Sequence, residues 1–121
     1  VTRGAGTRVE LRCPDPAANP YLVLAVCLEA GLDGIRNQIT PPDAVTENVF
    51  EMQLPQKAKL GIESLPGDLE EAVEELEKDD YIKNVLGGHI TEKYLEAKRA
   101  EWADYRAQVT EWEIEKYLYK I

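Results

Sequence analysis

The sequence contains little cysteine or histidine and no long apolar run. Its 121 residues include two cysteines and one histidine. Because neither cysteine lies in a CxxC or Cys/His cluster, the sequence argues against a disulfide framework and against a zinc site. The most apolar run, residues 21–28, is much shorter than the roughly 20 residues that span a bilayer. We therefore expect reduced thiols, a cytoplasmic location and no membrane partner.

Positive charge is also scarce. Lysine and arginine number 14 against 23 aspartates and glutamates, for a net charge of −9. Nucleic acids and anionic membrane surfaces bind clustered basic side chains, so neither is an expected partner. Nine of the acidic residues fall within residues 63–80, beside the single Lys78. Apolar residues recur there at helical spacing, which predicts the solvated face of an amphipathic helix rather than an acidic interaction tail.

What remains is the composition of a globular domain. Apolar residues make up 44% of the chain and charged residues 31%, a balance typical of folded proteins. A length of 121 residues suits one domain with its own core, so we interpret residues 1–121 as a single domain. The chain begins at Val1 without an initiator methionine. We expect it to be part of a longer protein.

The first predicted element is a strand over about residues 7–12, where charged and apolar side chains alternate. Prolines at positions 14 and 16 end it. Asn19 followed by Pro20 is typical of a helix N-cap and first helical position, and this helix should reach about Leu32. It is apolar on every side, which predicts a place in the middle of the structure. A lone strand cannot satisfy its backbone groups, so another segment or subunit must complete a sheet.

The rest of the chain is predicted to be helical. Capping pairs, glycines and apolar periodicity mark the remaining segments. A loop is predicted over 38–59, with a short helical turn near 56–60. A helix opened by Asp68 and Glu71 follows, and then a short helix capped by Asp79 or Asp80 that ends at Gly87–Gly88. The last two elements are a long helix over 89–109 and a helix from Thr110 and Glu113 to about Tyr119. The predicted fold class is a mainly α fragment of an α+β fold, with one N-terminal strand followed by about five helices.

Three charged residues share one face of the predicted strand. Arg8, Glu10 and Arg12 alternate with apolar residues, which sets a carboxylate between two guanidiniums. Such a trio can hold a metal and an anion side by side, or it can form a plain ion pair. The residues alone favour the ion pair slightly and leave both open. Mg²⁺ prefers about six oxygen ligands, so Glu10 cannot hold it unaided and other ligands would come from outside these residues.

The residues around this trio and further along the chain resemble glutamine synthetase, in the C-terminal part of the catalytic domain of bacterial and archaeal type I enzymes. The strongest motif is Arg-Val-Glu-Leu-Arg-Cys-Pro-Asp-Pro-Ala-Ala-Asn-Pro-Tyr at residues 8–21. The likeness covers nearly the whole chain. It continues at residues 30–37, 47–51, 64–67, 96–102, 105–109 and 112–117.

The resemblance implies an ATP-dependent ligase that joins glutamate and ammonia through a glutamyl phosphate intermediate. By position, Glu10 matches a ligand of the active-site divalent metal, Mg²⁺ or Mn²⁺. Arg12 matches the catalytic arginine that contacts substrate glutamate and the transferring phosphoryl group, and Arg8 matches an arginine near the nucleotide. The family forms ring-shaped homo-oligomers with active sites between neighbouring subunits. Its N-terminal domain and upstream metal ligands are missing from this chain, so we expect the chain alone to bind none of these cofactors and to be inactive.

One position departs from part of the family and bears on regulation. Some type I enzymes carry an adenylylated tyrosine within Asn-Leu-Tyr-Asp, and residues 48–51 read Asn-Val-Phe-Glu here. Phe50 has no hydroxyl to modify, which implies the subgroup controlled by feedback inhibition and protein partners. Two alternatives stay open. They are a freestanding helical interaction module on the same scaffold, and a ligase joining glutamate to another amine.

Overall fold

The computed structural model of the chain describes residues 4–120, which are almost entirely helical or irregular. They divide into two compact units, Val1–Leu65 and Pro66–Ile121. The prediction of a single domain stays a prediction. The helices in chain order are α1 Pro20–Arg36, α2 Leu54–Lys59, α3 Leu69–Lys78, α4 Asp80–Leu86, α5 Gly88–Arg106 and α6 Glu111–Glu113, which continues as a π-helical stretch over Ile114–Leu118.

The predicted strand at residues 7–12 is wrong for the structure. This segment is irregular, and no strand occurs anywhere between residues 4 and 120. Val9 is 97% exposed and Leu11 is 56% exposed, so its apolar face has no cover. A strand is defined by the ladder it forms with a neighbour, and alternation alone cannot supply that neighbour. The segment therefore keeps the sequence pattern of a strand without its hydrogen bonds.

The start of α1 agrees with the prediction, and its end does not. The Asn19 side chain accepts hydrogen bonds from the backbone N–H groups of Tyr21 at 3.0 Å and Leu22 at 3.4 Å, and Pro20 occupies the first turn. The helix passes the predicted end near Leu32 and reaches Arg36. Glycine within a helix costs only about 1 kcal/mol relative to alanine, so Gly31 and Gly34 do not end α1.

The predicted burial of α1 is also wrong for this structure. None of its residues is buried, and Tyr21, Leu24 and Leu28 are 81%, 69% and 64% exposed. Within its own unit, α1 does not pack against α2, the other described helix there. Helix α2 begins two residues before the predicted turn, where the Gln53 N–H donates to the Gln56 side chain at 3.0 Å. The helices of this unit are thus set by local capping rather than by a core.

The second unit has a small core formed by three helices. Helices α3, α4 and α5 pack against one another in all three pairs. The buried side chains in the described chain are Val73 on α3 with Leu95 and Thr91 on α5. As predicted, Asp68 caps α3, accepting from the Glu71 N–H at 2.9 Å. Of the two candidates for α4, Asp79 is the cap and accepts from the Ile82 N–H at 3.0 Å.

Polar contacts tie the three helices together at their ends. Arg99 on α5 forms an ion pair with Glu77 on α3. Lys83 on α4 donates from Nζ to the Glu77 carbonyl at 2.6 Å, and the Lys83 carbonyl accepts from the Thr91 hydroxyl at 3.2 Å. Carbonyls in the last turn of a helix have no partner within the helix, and the Lys83 side chain supplies one to α3. The Lys83 carbonyl already accepts from the Gly87 N–H at 2.9 Å, so the Thr91 hydroxyl adds a second hydrogen bond there.

The C-terminal helix begins at the predicted capping box. The Thr110 hydroxyl accepts from the Glu113 N–H at 3.2 Å, and Glu113 accepts from the Thr110 N–H at 2.8 Å. The backbone and hydroxyl hydrogen bonds from Thr110 lower the pKa of the Glu113 carboxyl. The helix then widens into its π-helical stretch and ends at Leu118, one residue before the predicted end.

Truncation of the core should destabilise the second unit. Leu95→Ala removes a buried side chain, so we expect the free energy of unfolding to fall by about 2–5 kcal/mol. Leu118→Ala is the control, because Leu118 is 59% exposed and its loss should cost little. Urea unfolding followed by far-UV circular dichroism measures both. Equal losses for the two variants would contradict the assignment of the core.

The capping box predicts that the start of α6 is sensitive to acid. The folded pKa of Glu113 lies below its unfolded value, so its stabilising contribution is complete above the unfolded pKa. That contribution is lost as the pH falls through the lower folded pKa. We expect NMR secondary shifts of residues 111–118 to decrease in that window. Glu113→Gln should remove this pH dependence, and a persistent titration in that variant would assign it to another group.

Candidate functional site

Residues 8–12, which contain Arg8, Glu10 and Arg12 and are called the charged segment below, lie between two tight turns. Before it, the Thr7 N–H donates to the Gly4 carbonyl at 3.0 Å, and the Gly4 N–H donates to the Thr7 hydroxyl at 2.9 Å. After it, Asp15 accepts from the Ala17 N–H at 2.7 Å through its side chain and from the Ala18 N–H at 2.9 Å through its carbonyl. Asp15 and Asn19 thus fix the backbone through their side-chain oxygens. Local hydrogen bonds bound the segment on both sides.

Two of the three predicted charges are in contact. The Arg12 guanidinium donates from Nε to Glu10 Oε1 at 2.7 Å, and its Nη2 lies 2.5 Å from the same oxygen. Both contacts fall on one carboxylate oxygen, so the pair is not the two-oxygen fork that guanidiniums and carboxylates often form. The side chains are 83% exposed for Arg12 and 50% exposed for Glu10. The contact is a surface ion pair, which agrees with the simpler of the two sequence interpretations.

Arg8 does not join this pair. Its Nη1 donates to the Gly6 carbonyl at 3.2 Å, within the preceding turn. A guanidinium bound to a backbone carbonyl leaves the Glu10 carboxylate facing Arg12 rather than lying between two arginines. The structure therefore brings Glu10 and Arg12 together and places Arg8 apart from them. This asymmetry was not visible in the sequence, where the two arginines are equally spaced from Glu10.

Glu10 is the type of ligand that a divalent metal prefers, but the described residues bring no further ligands to it. A half-exposed carboxylate is the hard oxygen ligand that Mg²⁺ and Mn²⁺ prefer. Residues 4–120 contain no group of three or more histidine, cysteine or acidic side chains that could hold a metal ion. Glu10 can therefore supply one corner of a metal site, and it cannot form the site alone.

The turn around Phe50 is built by Asn48. The Asn48 side chain accepts from the Phe50 N–H at 3.1 Å and donates to the Glu51 carboxylate at 2.9 Å, while the Asn48 carbonyl accepts from the Glu51 N–H at 3.1 Å. Asparagine commonly closes turns in this way. Phe50 at the tip is 99% exposed. The missing hydroxyl at Phe50 is visible in the sequence, whereas the turn that presents the ring is visible only in the structure.

Four aromatic residues of the second unit form two ring pairs. Trp102 stacks on Tyr105 with ring centroids 5.8 Å apart, and Trp112 meets Tyr117 edge to face at 5.8 Å. The Trp102 indole N–H is buried, and no hydrogen-bond partner for it occurs among residues 4–120. These contacts are between neighbours on the same helical segments. They do not enclose a ligand cage.

None of the helices within residues 4–120 has the length and apolar character needed to cross a bilayer.

Comparison with known proteins identifies the family. A family model described as glutamine synthetase, catalytic domain, matches residues 1–117. Similar proteins include the glutamine synthetases of Clostridium saccharobutylicum, 52% identical over 120 residues and 99% of this chain, of Methanocaldococcus jannaschii, 53% identical over 118 residues and 98% of the chain, and of Thermotoga maritima, 53% identical over 117 residues and 97% of the chain.

These alignments cover almost all of this chain and only part of each relative. The chain spans 27%, 26% and 27% of the three relatives, about a quarter of their length. The matched region includes the charged segment with Glu10 and Arg12 and both helical units. A family match over residues 1–117, at about half identity to curated relatives, shows that the chain belongs to the glutamine synthetase catalytic domain family.

Proposed function

We propose that this chain supplies one wall of the active site of an ATP-dependent glutamate–ammonia ligase. The observation that carries the proposal is the family match over residues 1–117, which contains the charged segment in full. In this reaction the γ-phosphoryl group of ATP passes to the side-chain carboxylate of glutamate, giving ADP and glutamyl phosphate. Ammonia then attacks the acyl carbon, and phosphate leaves with the electron pair of the broken bond.

The charged segment suits the first of these steps. Phosphoryl transfer depends on positioning and on neutralising the charge of the transferring group and its oxygens. Glu10 is proposed as one ligand of a divalent metal, Mg²⁺ or Mn²⁺, which when bound neutralises phosphate oxygens. Arg12 is proposed to hold the glutamate carboxylate and the transferring phosphoryl group, because a guanidinium offers several parallel donors to such anions. Arg8 is proposed to contact the nucleotide.

Spacing along the segment supports these separate roles. In a longer ligase that paired this segment as a strand, each residue would advance roughly 3.3 Å, so side chains two residues apart on one face would stand about 7 Å apart at their origins. That separation allows a cation on Glu10 and an anion on Arg12 to lie next to each other. In the described structure the two side chains are instead in contact, with Arg12 Nη2 2.5 Å from Glu10 Oε1.

The exposed apolar surface of the first unit supports a larger protein around this segment. Val9, Tyr21 and Leu24 are 97%, 81% and 69% exposed, although large apolar side chains are normally covered. We propose that further parts of a longer ligase, or neighbouring subunits of a ring-shaped homo-oligomer, cover them. We further propose that this ligase is cytoplasmic and acts on glutamate, ammonia and ATP.

A freestanding helical interaction module is the second candidate. Its support is the second unit, where α3, α4 and α5 pack on buried residues that these helices themselves supply. The two candidates differ in what Glu10 and Arg12 do. A module has no use for the pair, whereas a ligase loses activity without it.

The chain by itself is predicted to be inactive. It contains one candidate metal ligand on the charged segment, and residues 4–120 hold no cluster that could complete the site. A coupled assay of ADP release, with glutamate, ammonia, ATP and Mg²⁺, should show no turnover above a blank without ammonia. Glutamate- and ammonia-dependent ADP release by the purified 121-residue chain would contradict this prediction.

In the longer ligase, Arg12→Lys should reduce catalysis strongly. Loss of one charge-stabilising donor at a reacting group costs about 100- to 1,000-fold in kcat, and lysine cannot reproduce the guanidinium fork. Arg8→Lys is the matched control. Its effect should be smaller and should fall mainly on the KM for ATP. Steady-state ADP release with each substrate varied separates the two, and equal kcat values for Arg12→Lys and the unchanged enzyme would refute the proposed role.

A further inference from the structure

Residues 13–19, called the joint below, connect the charged segment to α1 and are held by local hydrogen bonds. The Asp15 side chain accepts from the Ala17 N–H at 2.7 Å, and the Asp15 carbonyl accepts from the Ala18 N–H at 2.9 Å. An aspartate that binds the backbone two residues further on closes a turn. Both N–H groups that follow Pro16 are therefore held by Asp15.

Two prolines and a helix cap restrict the joint further. Pro14 and Pro16 lie on either side of Asp15. Each proline has its φ angle fixed at about −65° and also restricts the residue before it. At the far end, the Asn19 side chain accepts from two N–H groups in the first turn of α1. These contacts need no partner strand, and they are present although residues 7–12 are irregular.

We propose that Asp15 is a positioning residue for Arg12. Its side-chain oxygen fixes the joint, and the joint fixes the direction in which the charged segment leaves α1. Arg12 is the residue directly before the joint, so its backbone is the first to be placed by it. The inference rests on the proposed function, in which Arg12 holds the glutamate carboxylate and the transferring phosphoryl group. Asp15 touches neither group and acts through the backbone.

Arg12 depends on its backbone for its position. Its side chain is 83% exposed, so packing contributes little to where it lies, and its ion pair with Glu10 is a weak surface contact. The joint ties the backbone beside it to α1. A displacement of about 1 Å at a reacting group can lower catalysis by about 100-fold. One hydrogen bond of modest strength at Asp15 can therefore have a large effect on rate.

The first test compares two variants of Asp15 in the longer ligase. Asp15→Ala removes the oxygen that holds the Ala17 N–H, and it should lower kcat by about 10- to 100-fold. Asp15→Asn removes the same charge and keeps an oxygen for that N–H, so its kcat should stay near that of the unchanged enzyme. Asp68→Ala is the matched control, because it removes an aspartate oxygen that accepts from the Glu71 N–H at 2.9 Å in the second unit. Steady-state ADP release should show an unchanged kcat for this control.

A double variant shows whether Asp15 acts through Arg12. Residues that act as a unit have effects that do not add. The kcat of the enzyme carrying both Asp15→Ala and Arg12→Lys should therefore lie close to that of Arg12→Lys alone. Far-UV circular dichroism verifies that each variant keeps its helices.

A second arm uses the isotope-labelled 121-residue chain and needs no activity. Asp15→Ala should speed amide hydrogen exchange at Ala17 by about 2- to 12-fold, the range for loss of one hydrogen bond. It should also lower the heteronuclear ¹⁵N NOE of residues 10–13, because the charged segment is no longer held to α1. Asp15→Asn should change neither measurement.

The outcomes separate the inference from the function on which it rests. Equal losses of kcat for Asp15→Ala and Asp15→Asn would show that Asp15 acts through its charge, and this would overturn the inference. Losses that multiply in the double variant would also overturn it, and so would an unchanged NOE at residues 10–13 in Asp15→Ala. Failure of the proposed function has its own signature, which is an unchanged kcat for Arg12→Lys whatever Asp15→Ala does.

Discussion

Burial of apolar side chains is the constraint that divides this chain. In the second unit, Val73 and Leu95 are covered because α3, α4 and α5 pack against one another. Their ends are then joined by the contacts of Lys83 with α3 and α5. The first unit has no buried residue among those described. Its helices begin where local caps put them, and their apolar faces remain open.

The candidate site lies in the open unit, and this affects its chemistry. Glu10 and Arg12 form an ion pair, and because both side chains are exposed to water this pair is weak. A site for phosphoryl transfer works best where water is excluded and charges act at full strength. Val9 and Leu11, the apolar side chains beside the pair, are 97% and 56% exposed, so they give it no dry surrounding.

Capping residues gave the most accurate predictions from the sequence. Asn19, Asp68 and Thr110 each cap a helix as predicted, because a side-chain oxygen two or three residues before a free N–H needs only local geometry. Helix ends were less accurate, since α1 passes Leu32 and α5 stops at Arg106 rather than near Val109. Helix termination depends on propensity differences of about 1 kcal/mol or less, which neighbouring structure readily outweighs.

By itself, the sequence determined the family, through the motif at residues 8–21 and the match over residues 1–117, and it determined where most helices begin. Only the tertiary structure decided which charges meet. Arg8 and Arg12 are symmetric about Glu10 in the sequence, and the turn at Gly6 breaks that symmetry. It also decided that residues 7–12 form no strand. Alternation fixes which faces a segment presents, whereas a strand exists only when a second segment bonds to it.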